Sequence, residues 1–259
     1  MTTPDTGLRV ESREHVLTCT IDRQERRNAL TFSVVKALGE ILLQADADPE
    51  VRAICLTGAG EKAFCSGADL SAELPEEGPA GVARAFADLL TVVAGLGTPL
   101  LARVNGHCVA GGMGLMLSCD LAIASNKAKF GTPEVKSGLF PMMIAPLILQ
   151  HAGPKRTMDL LFTGRLIQAD EALAMNLINR VVSSSDLDQV VDATLAAIVA
   201  NGPAAISLGR KALFKTRDLP FGQAVQTLAA ELVKVMNTED AGEGIAAFLE
   251  KRTPFWKNR

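Results

Sequence analysis

Three stretches, FCSGADL (64–70), NGHCVAGGMGL (105–115) and KFGTPEVKSGLFP (129–141), hold residue types that could do chemistry together. The first two are turns rich in small residues. Free peptide N–H groups at such turns, or in the first turn of a helix, can be aimed at one anionic oxygen, because small side chains let a ligand reach the backbone. Two donors from two turns would make an oxyanion hole. Taken singly, either turn would serve equally well for a tight reversal and close helix packing. No GK[ST] follows the glycines, and residues 108–114 do not spell GxGxxG, so neither a phosphate loop nor a dinucleotide fingerprint is present.

The third stretch supplies an acid. Glu134 follows a proline in a segment otherwise small or apolar apart from Lys136. A carboxylate held there would have a raised pKa and act as general base or acid; its plainer reading is a surface cap for the next helix. His107 within the second turn could serve as a base or simply pack, and Cys65, with no recognisable base beside it, reads as a buried filler.

These stretches need elements to hold them. Residues 15–23 alternate apolar and polar, the mark of a half-buried strand. Residues 32–47 carry an apolar stripe at helical spacing behind Thr31 as N-cap, and the apolar run 53–57 reads as a buried strand. The pattern recurs with a helix over 82–96, a strand LLARV, a glycine-led helix over 111–119 and a strand LAIAS. Strands alternating with helices predict parallel pairing and an α/β core. From 141 onward the chain turns helical: one helix through 148, another through 161, a third over 169–176, then a short run over 178–182. Amphipathic helices over 187–200, 203–215 and 221–236 follow, with a last one ending near 252. With no strands to cover, these helices are expected to pack on one another or on another subunit.

The chain has 259 residues, 48% of them hydrophobic and 21% charged, with a net charge of -3. It can bury a sizeable core, and its composition supplies no general basic surface for nucleic acid. Five cysteines at scattered spacings fit reduced, buried thiols better than disulfides or a metal site. The polar start lacks a signal-peptide core and no run reaches membrane-spanning length, so a cytoplasmic protein without membrane association is expected.

In their order and spacing, AFCSGADL, VNGHCVAGGMGLMLSCDLAIAS and AKFGTPEVKSGLFP resemble the enoyl-CoA hydratase/isomerase family, the crotonase superfamily. The likeness extends from IDRQERRNAL (21–30) through LTGRLIQADEALAMNLINRVV (162–182) to AFLEKRTPFWK. It implies an α/β crotonase-like spiral of ββα units over 1–198 and a C-terminal helical trimerisation region over 199–259, with trimers pairing into hexamers. It also implies that the N–H groups of Ala68 and Gly111 hold the carbonyl oxygen of an acyl-CoA thioester, each donor contributing about 3–4 kcal/mol as charge gathers there.

Hydratases of the family usually carry two glutamates. Here Glu134 matches one and Gly114 stands at the other's place. A single base suits removal of a proton from one carbon and its return to another, so the resemblance implies double-bond isomerisation of an enoyl-CoA. A hydratase with another second acid, or a non-catalytic acyl-CoA-binding scaffold, are the rivals. Met142, where relatives that hydrolyse, displace halide or isomerise dienes place an aspartate, argues against those reactions. The family likeness further assigns the thioester's CoA moiety to Arg26, Phe248 and Lys251, and the pantetheine path to Ala68, Asp69 and Leu70. Gly114 and Met142 are placed beside the acyl group. No metal or redox cofactor is implied; coenzyme A belongs to the substrate.

Overall fold

The alternating stretch near the N-terminus forms strand β3 (Val16–Ile21), and the preceding LRVESR forms β2 (Leu8–Arg13), paired with it antiparallel in the computed structural model, which describes residues 2–3 and 6–259. The reversal between them is made by Glu14 and His15, both at positive φ (49° and 65°). Such hairpin turns usually advertise themselves with Asn-Gly or Asp-Gly. This one does not, and the sequence pattern for β2 goes unread without it. A two-residue strand β1 (Thr2–Thr3) extends that edge.

Helix α1 (Phe32–Ala47) starts where Thr31 accepts the Val34 N–H at 3.2 Å, a cap contributing about 1 kcal/mol. After it the chain repeats one unit three times: a strand, a three-residue strand, a helix. The units are β4 (Ala53–Gly58), β5 (Ala63–Cys65) and α2 (Gly78–Gly95); then β6 (Leu100–Val104), β7 (His107–Val109) and α3 (Gly111–Ser118); then β8 (Leu121–Ser125), β9 (Lys129–Gly131) and α4 (Ala145–Thr163). The pattern closes with β10 (Leu166–Gln168), α5 (Ala169–Ala174) and β11 (Arg180–Val182).

The two strands of each unit enter different sheets. The seven-stranded sheet runs β1-β2-β3-β4-β6-β8-β11, parallel from β3 onward, and the four-stranded sheet runs β10-β9-β7-β5, parallel except for β10. This is the ββα spiral expected from the resemblance. The main core lies between the sheets and α1 to α4. On the other face of the large sheet, Leu187, Val191 and Leu195 of α6 (Leu187–Val199) cover Ala53, Cys55, Leu101 and Ile123. Burial on both faces is why AICLT reads as an unbroken apolar run. All five cysteines are buried and free.

Residues 145–163 form two helical segments that meet at a break at Gly153 (φ 73°), just before Pro154: the two helices expected here, with the first running on past Ile148. The proline ring cannot continue the ladder, and glycine absorbs the reversed φ. The C-terminal helices α7 (Pro203–Thr216), α8 (Phe221–Met236) and α9 (Glu239–Glu250) match the expected spans closely. Among the described residues no single helix is long and apolar enough to cross a membrane.

Candidate active site

The three parallel strands β5, β7 and β9 are only three residues long, and each leads out of its C-terminal end into one chemistry-bearing stretch: β5 into Gly67-Ala68, β7 into Ala110-Gly111, β9 into Pro133-Glu134. Parallel pairing places all three exits at one edge, the side of an α/β sheet where ligands gather.

The first two turns touch. Gly67 (φ 92°) has room for no side chain, since a Cβ there would lie 2.6 Å from the Ala110 Cβ and 3.1 Å from the Gly111 nitrogen. A Cβ on Gly111 would in turn lie 3.8 Å from the Ala68 nitrogen. Glycine at 67 is therefore what lets the two amides edge one small space. The amides flanking Ala68 are bonded, Gly67 N–H to the Cys65 sulfur at 3.4 Å and Asp69 N–H to the Leu30 carbonyl at 2.8 Å. No acceptor among the described residues takes the Ala68 N–H. Gly111 opens α3, so its N–H has no intrahelical acceptor either.

Ala110 pays for this geometry with φ 53° and ψ -132°, a conformation that costs a non-glycine residue about 1–3 kcal/mol. It is held there by its N–H on the Gly131 carbonyl at 2.9 Å and by its own carbonyl, which accepts Met113 N–H at 2.9 Å. One hydrogen bond thus ties the second turn to β9, three residues before Glu134.

Glu134 sits in a 3-10 helix, Pro133–Ser137, with its carbonyl accepting the Leu139 N–H at 3.1 Å. Its side chain is half-buried, and Oε2 is shielded from solvent with no hydrogen-bond partner. Burial raises its pKa, opposed by its own backbone amide. An orphaned carboxylate oxygen is uncommon enough to require a reason, and a substrate proton is one. The acids that follow the first turn and α3 are already committed. Asp69 accepts from Ser71 Oγ at 2.7 Å and Arg23 at 2.9 Å, which hold its carboxyl down at about 2 against the opposing effect of burial. Asp120 is paired with Arg210 at 2.8 Å.

The place of a second acid is filled. A Cβ on Gly114 would lie 2.1 Å from Ile144 Cγ2 and 3.5 Å from Phe86 Cζ. Gly114 is buried against these apolar groups.

The remaining candidates fall into two groups. Near the turns, Arg26 is exposed and its carbonyl accepts the Ser66 hydroxyl at 3.3 Å; Leu70 and Met142 expose most of their surface beside the first turn and downstream of Glu134. Phe248 and Lys251, by contrast, belong to the last helix and its cap, which pack chiefly on α7 and α8; both side chains are exposed, and within one chain they are not gathered with the turns. His107 is half-buried and its pKa is lowered by burial and by Lys129 and Arg27. Burial pushes the Cys65 thiol up to about 12, in line with an inert filler. Two supporting residues escaped the reading of motifs: buried Asn28, whose amide donates to the carbonyls of Ala59 (3.0 Å) and Ala63 (2.7 Å), and Asn105, which donates to Gly58 at 2.8 Å. Both clamp the loop leading into β5.

A spiral of ββα units with two unpaired amides and one lone carboxylate at a shared sheet edge defines a crotonase-fold protein. A profile of the enoyl-CoA hydratase/isomerase family matches residues 11–259. The chain is 35% identical over 255 residues to a carnitinyl-CoA dehydratase of Salmonella typhi, covering 94% of this chain and 95% of that one. Crystal structures of an enoyl-CoA hydratase from Bacillus anthracis (32% identity, TM-score 0.93, 98% of this chain and 100% of that one) and one from Mycobacterium smegmatis (33%, 0.91, 96% and 98%) superpose closely. The chain belongs to the enoyl-CoA hydratase/isomerase superfamily.

Proposed function

We propose that this chain binds an acyl-CoA thioester, with the Ala68 and Gly111 amides on the carbonyl oxygen, and isomerises an enoyl-CoA by proton transfer through Glu134. Glu134 takes a proton from the carbon between the thioester and a 3,4 double bond. The released electron pair enters the carbonyl, whose oxygen becomes an anion held by the two amides. Collapse of that dienolate returns the electrons to a 2,3 double bond, and the Glu134 O–H delivers the proton to the fourth carbon. Nothing is gained or lost, so one acid suffices. The observation carrying this reading is a Glu134 carboxylate oxygen buried without a partner, in a chain whose second-acid position is filled by Ile144.

The names of its relatives favour a second reading, reversible addition of water across the 2,3 double bond. Incubation with 2-enoyl and 3-enoyl thioesters separates the two: isomerisation moves the double bond, whereas hydration yields a 3-hydroxyacyl product. Glu134→Gln is expected to lower isomerisation about 10²–10⁴-fold with thioester binding retained. Rapid hydration that survives this substitution overturns the mechanism. Binding without turnover of any acyl chain would support a scaffold instead.

The same reading makes the protein a cytoplasmic homotrimer or dimer of trimers that needs no metal or redox group. Support for assembly comes from α8, which buries no residue within the chain. In such an assembly a neighbour's α9 would bring Phe248 and Lys251 to the CoA end of the site, with Arg26 opposite.

A further inference from the structure

Gly111 and Gly114 are three residues apart on α3 and so share a face of that helix. Phe86 Cζ confirms it, lying 3.6 Å from the Cβ position of the first and 3.5 Å from that of the second. The space one turn beyond the Gly111 amide is thus bounded by Phe86 and by Ile144, whose side chain is 2% exposed. The Ile144 methyl stands 2.1 Å from the Gly114 Cβ position, inside any possible van der Waals contact, so methyl and side chain cannot coexist there.

Addition of water requires a polar group to hold that water against the acyl carbons, and the helix face leading away from the Gly111 amide is where α3 could offer one. Here that face presents a bare glycine under an isoleucine. Resting on the proton-transfer reading above, we propose that Ile144 is a specificity-determining residue: its side chain plugs the second-acid position, keeps water from the enolate and confines the site to moving a proton.

The test compares wild type with Gly114→Glu, Ile144→Ala and the double variant, using crotonyl-CoA for hydration and a 3-enoyl-CoA for isomerisation. The double variant is expected to hydrate crotonyl-CoA about a hundredfold faster than wild type, and Gly114→Glu alone to gain little. Because glutamate under Ile144 could unfold the helix, Gly114→Ala serves as the smaller probe. Its Tm should fall, and adding Ile144→Ala should cost less than the sum of the two single changes. Additive Tm losses, or equal hydration by Gly114→Glu alone and the double variant, overturn the assignment. So does a folded double variant that still isomerises yet hydrates no faster than wild type, an outcome that leaves the proton-transfer reading standing. A wild type that isomerises no enoyl thioester removes that reading and the assignment with it.

Discussion

Around the two turns the chain is closed on itself. Gly112 lies so near β5 that a Cβ would come within 2.3 Å of the Cys65 carbonyl, and Gly67 and Gly114 are walled in similarly by Ala110 and Ile144. In α8 the reverse holds: Phe221, Val225, Leu232 and Met236 fall on one stripe, and all are exposed. Between these extremes, α7 is fastened to the core by Arg210, whose buried guanidinium donates to Asp120 and to the carbonyls of Leu96 and Val93. A site that must hold two amides within a fraction of an ångström is made rigid by its own chain. A face left apolar and open is free to take packing from outside the chain.

The sharpest way to break this comparison is at its seam. Arg210→Met takes the buried ion-pair partner from Asp120, which keeps only the Leu100 N–H, and a buried donor from the Leu96 and Val93 carbonyls, and urea unfolding should show a loss of about 3–5 kcal/mol. A loss below about 1 kcal/mol would mean that the C-terminal helices are as loosely held at α7 as at α8. Glycine substitutions sharpen the contrast with opposite signs. Gly112→Ala forces α3 away from β5 and should cost about 1–3 kcal/mol, with a fall in turnover as the Gly111 amide moves. Gly242→Ala in α9, where a Cβ meets nothing within 4 Å, should stabilise by about 0.4–1 kcal/mol. Thermal unfolding of the pair decides it; equal signs would show that the two regions are packed alike.

The same contrast explains what was legible in the sequence. Long helices announce themselves by periodicity, and α1, α6, α7 and α8 fall within a residue or so of the expected bounds. The small sheet does not: β5, β7, β9 and β10 are three residues each, too short to show alternation, and their pairing is set by the large sheet beside them. The candidate site residues stand in motifs that can be read, but the edge they share depends on that unread sheet. Ile144 carries no chemical signal at all. Only the distance to Gly114 reveals what it does.

The open face of α8 yields an effect on association rather than on stability. Replacing Leu232 and Val225 with aspartate removes no buried contact, so each change should alter the unfolding free energy of the chain by no more than about 0.5 kcal/mol. Sedimentation velocity should nonetheless show the proposed oligomer breaking into smaller species. A native-sized particle after both changes would mean that the stripe faces water.

The smallest effect separates the two carboxylates at the site by the sign of their pH dependence. Asp69 has its pKa lowered from an ordinary 3.8 to about 2, so its stabilising contribution is complete above the unfolded value and fades as pH falls toward 2. The deficit of Asp69→Asn relative to wild type should therefore shrink on acidification. Glu134 is shifted the other way. Its contribution is present below the unfolded pKa and is lost as pH rises through the higher folded one, because burial of the ionised carboxyl outweighs the bond from its own backbone amide. Glu134→Gln should match wild type in Tm at low pH and exceed it increasingly toward neutrality, while losing turnover throughout. A carboxylate that was merely structural would show the opposite slope, since its removal would cost stability where it is charged; a declining Tm difference on raising the pH would place Glu134 with Asp69 and leave the site without a base.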